Sequence, residues 1–467
     1  MAQNFLGCDR DQVFLLPPSV DDWLPADHFA RFVIAIVEEM DLAEFYADYR
    51  ADGHGRPAHD PAMMVALLVY AYARGQRSSR EIERACIEDI AFRVIAANRR
   101  PDHCTIARFR QRHETALAGL FGEVLALCAQ AGLTGVAVLA VDGTKVHANA
   151  SERATRDYEH LAREALLEAA EIDAAEDEQF GDRCGDELPP ELASAQGRQK
   201  WLADAKRRLD AQRERDARPI PAGRPARVKE AKRRLEEELR SECSANAAYE
   251  AYRARGVMKN GRRFGSPPKP YQPPERPTGK INVTDPDSRN LKTPRGWVQG
   301  YNAQAVCNEH QIVLAAEISV SSADFGLLGP MITAAEHELT AAGMPVAPEV
   351  VLADAGYWHG EQMDALTGRG IQVLIPPDGA KRQGTRPGWN SGRYAFMRRV
   401  LEDEIAGELY RRRQVMVEPI FADTKFNRGI DRFLRRGRSA ARSEWRLITA
   451  GGNLLKFHRH QLRLAGP

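Results

Sequence analysis

Cysteine is scarce in this chain: there are 7 in 467 residues, an odd number, with no CxxC pair among them. That spacing excludes a zinc ribbon or finger and a disulfide scaffold, and it fits a reducing compartment. No apolar run reaches membrane-spanning length. The N-terminal MAQNFLGCDRDQ lacks a basic stretch followed by an apolar one, so no secretory signal is expected. The expected location is the cytoplasm, with no membrane partner. Net charge is also missing, since 66 Lys and Arg stand against 65 Asp and Glu. The distribution is uneven, however. From Ala380 onward basic residues outnumber acidic ones by roughly two to one, an asymmetry that favours a polyanionic partner.

Residues 1–130 carry helical patterning. Asp27 is placed to cap a helix bearing Phe29, Phe32, Val33, Ile36, Val37 and Met40. Asp60-Pro61 is a cap followed by proline at the first helical position. Ser78 to Glu81 has the form of a capping box. Pro101-Asp102 opens a helix running through Ile106 and Phe109 to Leu125. Arginines, including Arg108, Arg110 and Arg112, interleave the apolar positions. Two readings stand side by side: a helical domain that docks on a DNA duplex, or a bundle with a solvated basic face.

Residues 159–260 read as a charged helical insertion, with long Ala-, Glu-, Lys- and Arg-rich patterns over 151–178, 191–216 and 227–255. Residues 261–280 form a Pro- and Arg-rich linker. A catalytic core begins at 131–158 and resumes over 281–460. Its first strand, in Val136–Ala148, is apolar on both faces up to Val141 and then delivers Asp142-Gly143-Thr144. After the linker come an antiparallel pair, Tyr301–Cys307 and Gln311–Val320, and an amphipathic helix over Asp324–Ala342. A second buried run, Glu349–Ala353, ends in Asp354, and Ile371–Ile375 follows as another buried strand. A helix over Val415–Arg436 has Glu418 near its start. The expected fold class is an α/β mixed sheet flanked by helices, with an all-α N-terminal domain and a helical insertion.

A lone carboxylate at the end of a buried strand is costly unless it is used. If the strands bearing Asp142 and Asp354 are neighbours, the two acids lie close, and a divalent cation between them relieves their repulsion. Oxygen-only ligands suit Mg2+, with Mn2+ able to substitute. With Glu418 as third acid, the set has the composition of a two-metal phosphodiester site. Lys425 sits two helical turns past Glu418, where it would hold a phosphate. Arg413, Arg428, Arg432, Arg435 and Arg436 supply further phosphate contacts. Trp297 and Trp358 are either base-stacking or packing residues. Asp142-Gly143-Thr144 also resembles the start of the haloacid-dehalogenase phosphatases, but Ala140 stands where those enzymes need their nucleophilic acid.

The stretches DGTKVHANAS, DPDSRNLKTPRGWVQGYNAQ, LADAGYW, VEPIFADTK and WRLITAGGNLLK resemble bacterial insertion-sequence transposases of the DDE class, of the 1182-type group. The resemblance implies an RNase H-like core and Asp142, Asp354 and Glu418 as catalytic triad and metal ligands, with Lys425 beside them. It implies double-stranded DNA, as terminal inverted repeats and target, as partner, and a homo-oligomer on that DNA. The family signature around the third acid is Tyr-x2-Arg-x3-Glu-x6-Lys. Glu418 and Lys425 match it, whereas Tyr410 and Arg413 each sit one residue early. A local bulge in the helix would restore their placement. The function expected from the sequence is metal-dependent strand cleavage and strand transfer. The alternatives are a decayed copy that only occupies terminal repeats, or an RNase H-like nuclease.

Overall fold

The structure, a computed structural model, describes residues 20–49, 57–161, 209, 220–221, 223–255, 258–259, 262–263, 272–293, 296–377 and 392–466. The expected helix over 191–216 and most of that over 151–178 lie outside the described residues. The N-terminal part is helical throughout: α1 (Phe29–Glu39), α2 (Ala43–Ala47), α3 (Pro61–Ala73), α4 (Ser79–Glu88), α5 (Ile90–Ile95), α6 (His103–Arg112) and α7 (Glu114–Gln130). Asp60 caps α3, with Oδ1 accepting from Ala62 N at 3.1 Å ahead of Pro61. Two other starts differ from expectation. His28, not Asp27, caps α1 through Nδ1, because the chain enters the helix one residue later. Ser78 makes no side-chain cap bond, so the capping box does not form. The single helix expected from Asp102 to Leu125 is two, broken at His113, whose buried ring packs on Phe45 and Phe109.

The sheet is built from β1 (Val138–His147), β4 (Arg289–Thr293), β5 (Gly296–Asn308), β6 (Val313–Ser319), β7 (Val350–Ala353) and β8 (Gln372–Leu374). A separate two-stranded ribbon, β2 (Thr155–Asp157) with β3 (Lys280–Asn282), closes the base of the insertion. The strand order is β8-β7-β1-β5. Both β4 and β6 lie on the far edge of β5, β4 against its first half and β6 against its second. β1 runs antiparallel to β5 and parallel to β7, and β7 runs parallel to β8. The result is a mixed α/β architecture, as the sequence pattern predicts.

Around the sheet lie α8 (Arg224–Arg255), α9 (Leu328–Ala341), α10 (Gly360–Gly368), α11 (Gly392–Glu402), α12 (Glu404–Ala422) and α13 (Arg438–Ala465). The helix expected over Val415–Arg436 is displaced. α12 begins at Glu404 and passes into a π turn over Asp423–Asn427. The chain then runs extended beside the end of β1, where His147 N donates to Asp431 O at 3.0 Å and Phe433 N donates to His147 O at 2.8 Å.

α13 is the spine that joins these parts. Trp445 is fully buried and donates through Nε1 to Gln304 O at 2.9 Å. The Asn453 amide serves as an extra strand edge, accepting from Val313 N at 2.9 Å and donating to Val313 O at 2.8 Å. Gly451 is required where α13 crosses α3, since a Cβ there would stand 3.1 Å from Ala73 Cα and N. Glu444, buried, pairs with Arg77 Nη1 at 2.5 Å and accepts from Leu434 N and Arg435 N. This one carboxylate thereby fastens the N-terminal helices, α13 and the segment ahead of it.

At the mouth of the insertion, Asp285 is wholly buried and accepts from Tyr301 OH at 2.8 Å. Burial pushes its carboxyl from 3.8 up to about 6, against the hydrogen bond from Tyr301.

Two measurements follow from these buried acids. Glu444→Ala leaves Arg77 without its carboxylate in the interior and lowers unfolding free energy by about 3–5 kcal/mol in denaturant titrations, whereas Glu444→Gln, which keeps an acceptor for the Leu434 and Arg435 amides, loses less. Asp285 has a raised folded pKa, so the folded chain holds more protons than the unfolded chain between pH 3.8 and about 6, and stability falls as pH rises across that window. Its share of that fall is on the order of 2–3 kcal/mol. Asp285→Asn still accepts from Tyr301 and gains on the wild type by that amount between pH 4 and 7. A parallel pH dependence in the two proteins would refute the assignment.

Candidate active site at the sheet centre

The pairing of β1 sets the site. On one side β1 is held by β5 along its whole length, from Leu139↔Asn308 to His147↔Gly300. On the other side its parallel pairing with β7 ends at Val141↔Ala353. The next residues are Asp142 and Asp354, so the two acids open onto one cleft where the sheet parts, at the carboxyl ends of parallel strands. Asp142 does not terminate its strand, as the sequence pattern suggests. It lies within β1, because β5 continues beside it.

Side chains alternate across β1. Asp142 and Thr144 face α12. Asp142 Oδ2 accepts from Arg413 Nη1 at 2.9 Å, and Oδ1 accepts from Gly143 N at 2.7 Å. Thr144 Oγ1 accepts from Lys425 Nζ at 2.5 Å, and Lys145 O accepts from the same amine at 2.9 Å. Gly143 and Lys145 face the other way. A Cβ on Gly143 would collide with the Gln304 amide at 2.0 Å and with Asn302 Oδ1 at 2.9 Å, so only glycine fits beside Asp142.

Burial pushes Asp142 from 3.8 up to about 6, opposed by the Arg413 guanidinium and assisted by the Asp354 carboxylate. Asp354 is raised as well, first by burial and then by Asp324. Its Oδ1 accepts from Gly356 N at 2.8 Å, which turns the chain sharply away from β7. Two carboxylates that both resist ionisation, of which only Asp142 holds a guanidinium, are a hard-oxygen pair that a divalent cation would relieve. To that extent the residues present fit a metal.

Asp324 belongs to this site and was not singled out from the sequence, where it serves as the start of a helix. α9 begins only at Leu328. Asp324 Oδ1 accepts from Asn302 Nδ2 at 2.7 Å, from Gln304 Nε2 at 2.8 Å and from Lys145 Nζ at 3.4 Å. Gln304 Oε1 in turn accepts from the buried Tyr357 hydroxyl. The signal was present in β5, where Asn302 and Gln304 alternate with apolar residues yet are fully buried. A pair of buried amides two apart implies a polar partner.

Glu418 stands apart. It is 56% exposed and its nearest ionic neighbour is Arg413 Nη2 at 4.0 Å. The cause is helical geometry. At 100° per residue, the five-residue step from Arg413 turns Glu418 about 140° away from β1, where a four-residue step would leave it about 40° off. The π turn takes up an extra residue after Glu418 and returns Lys425 to the Arg413 face. Among the described residues, no three Asp, Glu, His or Cys side chains stand close enough together to hold a metal ion.

The other arginines divide by surroundings. Arg108, Arg432 and Arg436 are exposed. Arg112 is exposed beside Asp48 and Tyr49, and Arg435 pairs with Glu114. Arg110 and Arg428 are turned inward, contrary to the expectation of phosphate contacts. Arg110 binds Tyr72 OH, Arg77 O and Ser79 Oγ, while Arg428 has a side chain 6% exposed that binds Ile448 O, Thr424 Oγ1 and Asp423. Both are struts between elements. Trp358 stacks on Tyr394 at 4.9 Å, whereas Trp297 is 60% exposed.

Replacing Arg413 with Gln removes the cation that holds Asp142 down. The Asp142 carboxyl then titrates above about 6, observable by carboxyl-carbon NMR. An unchanged or lower value would show that burial alone governs it.

Comparison with known proteins gives two matches. A transposase domain (DUF772) matches residues 18–112, and a transposase DDE domain matches residues 278–454. No curated protein and no solved structure matches the chain. Among the described residues, no helix is long and apolar enough to cross a membrane. The first match covers α1 to α6 and the second begins just before β3 and ends within α13, a pairing consistent with an insertion-sequence DDE transposase.

Proposed function

We propose that the chain cleaves DNA strands at the ends of an insertion sequence and joins them to a target, with Asp142, Asp354 and Glu418 as the acidic triad. The observation that carries this reading is the cleft of Asp142 and Asp354 on adjacent parallel strands. The sheet, in which β1, β4, β5 and β6 pair antiparallel and β7 and β8 follow parallel to β1, supports an RNase H-like core. Asp142 and Asp354 would hold Mg2+, or Mn2+ in its place, and a two-metal arrangement would draw in Glu418. A divalent cation bound there supplies Lewis acidity for phosphodiester displacement.

The chain's own groups prepare the site. Arg413 neutralises Asp142 while no other cation does so, and its guanidinium also lies 4.0 Å from Glu418. A DNA phosphate competes for that guanidinium through bidentate hydrogen bonds. Transfer of Arg413 to the phosphate frees both acids together. Lys425, half-buried and anchored on β1, stands beside the path of the same phosphate, and burial lowers its pKa so that it gives up its proton more readily than a surface lysine. The exposed Arg108 and Arg432 contact duplex backbone without reading sequence. Acting on two ends calls for a homo-oligomer on the DNA.

The test is nicking of a supercoiled plasmid that carries the DNA flanking the reading frame, with Mg2+ or Mn2+. Asp142→Ala, Asp354→Ala and Glu418→Ala each abolish nicking, by at least about a thousandfold, while binding to the same DNA stays within about twofold. Full nicking by any one of them removes that residue from the triad. One observation favours a second reading, a protein that occupies ends without cutting them: the outward turn of Glu418. In that case the wild type binds and does not nick.

A further inference from the structure

A broad concavity lies away from the acids. It opens where α6, α7, the insertion helix α8 and the start of α13 meet, with a volume of about 1090 Å³. Nine arginines line it against two carboxylates, Glu114 and Asp287. Five of the nine also meet carboxylates, Arg112 with Asp48, Arg234 with Asp287, Arg289 with Glu238, Arg435 with Glu114 and Arg442 with Glu317; the guanidinium excess that remains sits on a concave low-dielectric wall, which focuses its field.

Both carboxylates are already engaged. Glu114 binds Arg435 and accepts from Ser439 Oγ at 2.6 Å, while Asp287 binds Arg234 and accepts from Arg438 N at 3.0 Å. Several of the guanidinium groups are anchored instead by backbone carbonyls. Arg436 Nε donates to Asn149 O at 3.0 Å, and Arg110 Nη1 donates to Arg77 O at 2.6 Å. A carbonyl fixes the direction of a guanidinium without cancelling its charge. These cations are therefore oriented in advance, and little ordering cost remains when an anion arrives. Guanidinium forks match phosphate oxygens in geometry.

Asn149 lines the cavity and lies seven residues beyond Asp142. An extended chain of that length spans at most about 25 Å, so DNA engaged at Asp142 passes within reach.

We propose that this cavity is a second DNA-contact site, which grips a phosphodiester backbone at a distance from the reacting phosphate, and that α8 supplies one of its walls through Arg227 and Arg234. The proposal rests on the DNA reading of the chain and gives the insertion a role in it.

The test uses the full chain and a random-sequence 40-bp duplex, with affinity measured across a salt series. Each phosphate that is no longer neutralised lowers the slope of log K against log salt by about 0.9. Arg227→Gln with Arg436→Gln therefore lowers it by about two and weakens binding, with thermal melting confirming the fold. Arg227→Lys with Arg436→Lys keeps the slope, because the charge stays. Arg369→Gln, outside the cavity, leaves slope and affinity at wild-type values. A Gln pair with the wild-type slope overturns the cavity assignment while leaving the DNA reading intact. Equal losses in the Gln and Lys pairs also overturn it, since charge is then not the cause. A wild type without salt-dependent duplex binding overturns the DNA reading and this proposal together.

Discussion

The whole centre of the molecule answers one constraint: Asp142 is a carboxylate inside a sheet. Burying an ion without compensation costs several kcal/mol, and the structure compensates from two directions. Arg413 reaches in from α12, and the Asp142 carboxyl is pushed up to about 6, so that ionisation is deferred. Each answer fixes other parts. Arg413 demands that α12 lie against β1, and Lys425 secures the end of that helix on Thr144 and Lys145. Gly143 must lack a side chain so that Gln304 can pack on the opposite face. Gln304 then links Asp324, Tyr357 and Trp445 behind the cleft.

The register of α12 is the place where two demands conflict. A helix can present only one face to β1, and residues five apart do not share it. With Tyr410 and Arg413 one residue early, either the arginine or the glutamate has to turn away. The buried charge of Asp142 is the costlier one to leave unpaired, since Glu418 lies at the surface. Arg413 therefore turns inward and Glu418 outward. The sequence raises the idea of a bulge that would restore the register. A bulge exists, but the π turn at Asp423–Asn427 follows Glu418 instead of preceding it, so it restores Lys425 and not the acid.

Much of this was legible beforehand because periodicity reports burial directly. The apolar runs before Asp142 and Asp354 identified two buried strands, and their adjacency is what brings the acids to one cleft. The Asp60-Pro61 start of α3 and the long helix from the end of the insertion were likewise readable from local chemistry. What escaped depended on contacts distant in sequence. Asp324 looks like a helix cap until Asn302, Gln304 and Lys145 are seen to converge on it from strands 20 or more residues away. Arg110 and Arg428 look like surface cations because nothing local shows that their partners are carbonyls of other elements. The break at His113 escaped because the apolar spacing continues across it.

The insertion interrupts the core between its first strand and the rest, yet its return is among the best-secured features of the chain. β2 pairs with β3, Asn282 donates to Ser151 O at 2.8 Å, and a small separate core forms from Leu161, Val228, Ala231, Leu235, Ile281 and Val283. Arg234 of α8 binds Asp287, which in turn accepts from the first residue of α13. The helix that supports the cleft from behind through Trp445 is thus held at its start by the insertion. The described part of the insertion, α8 with the β2–β3 ribbon, is tethered at that point and forms part of the scaffold.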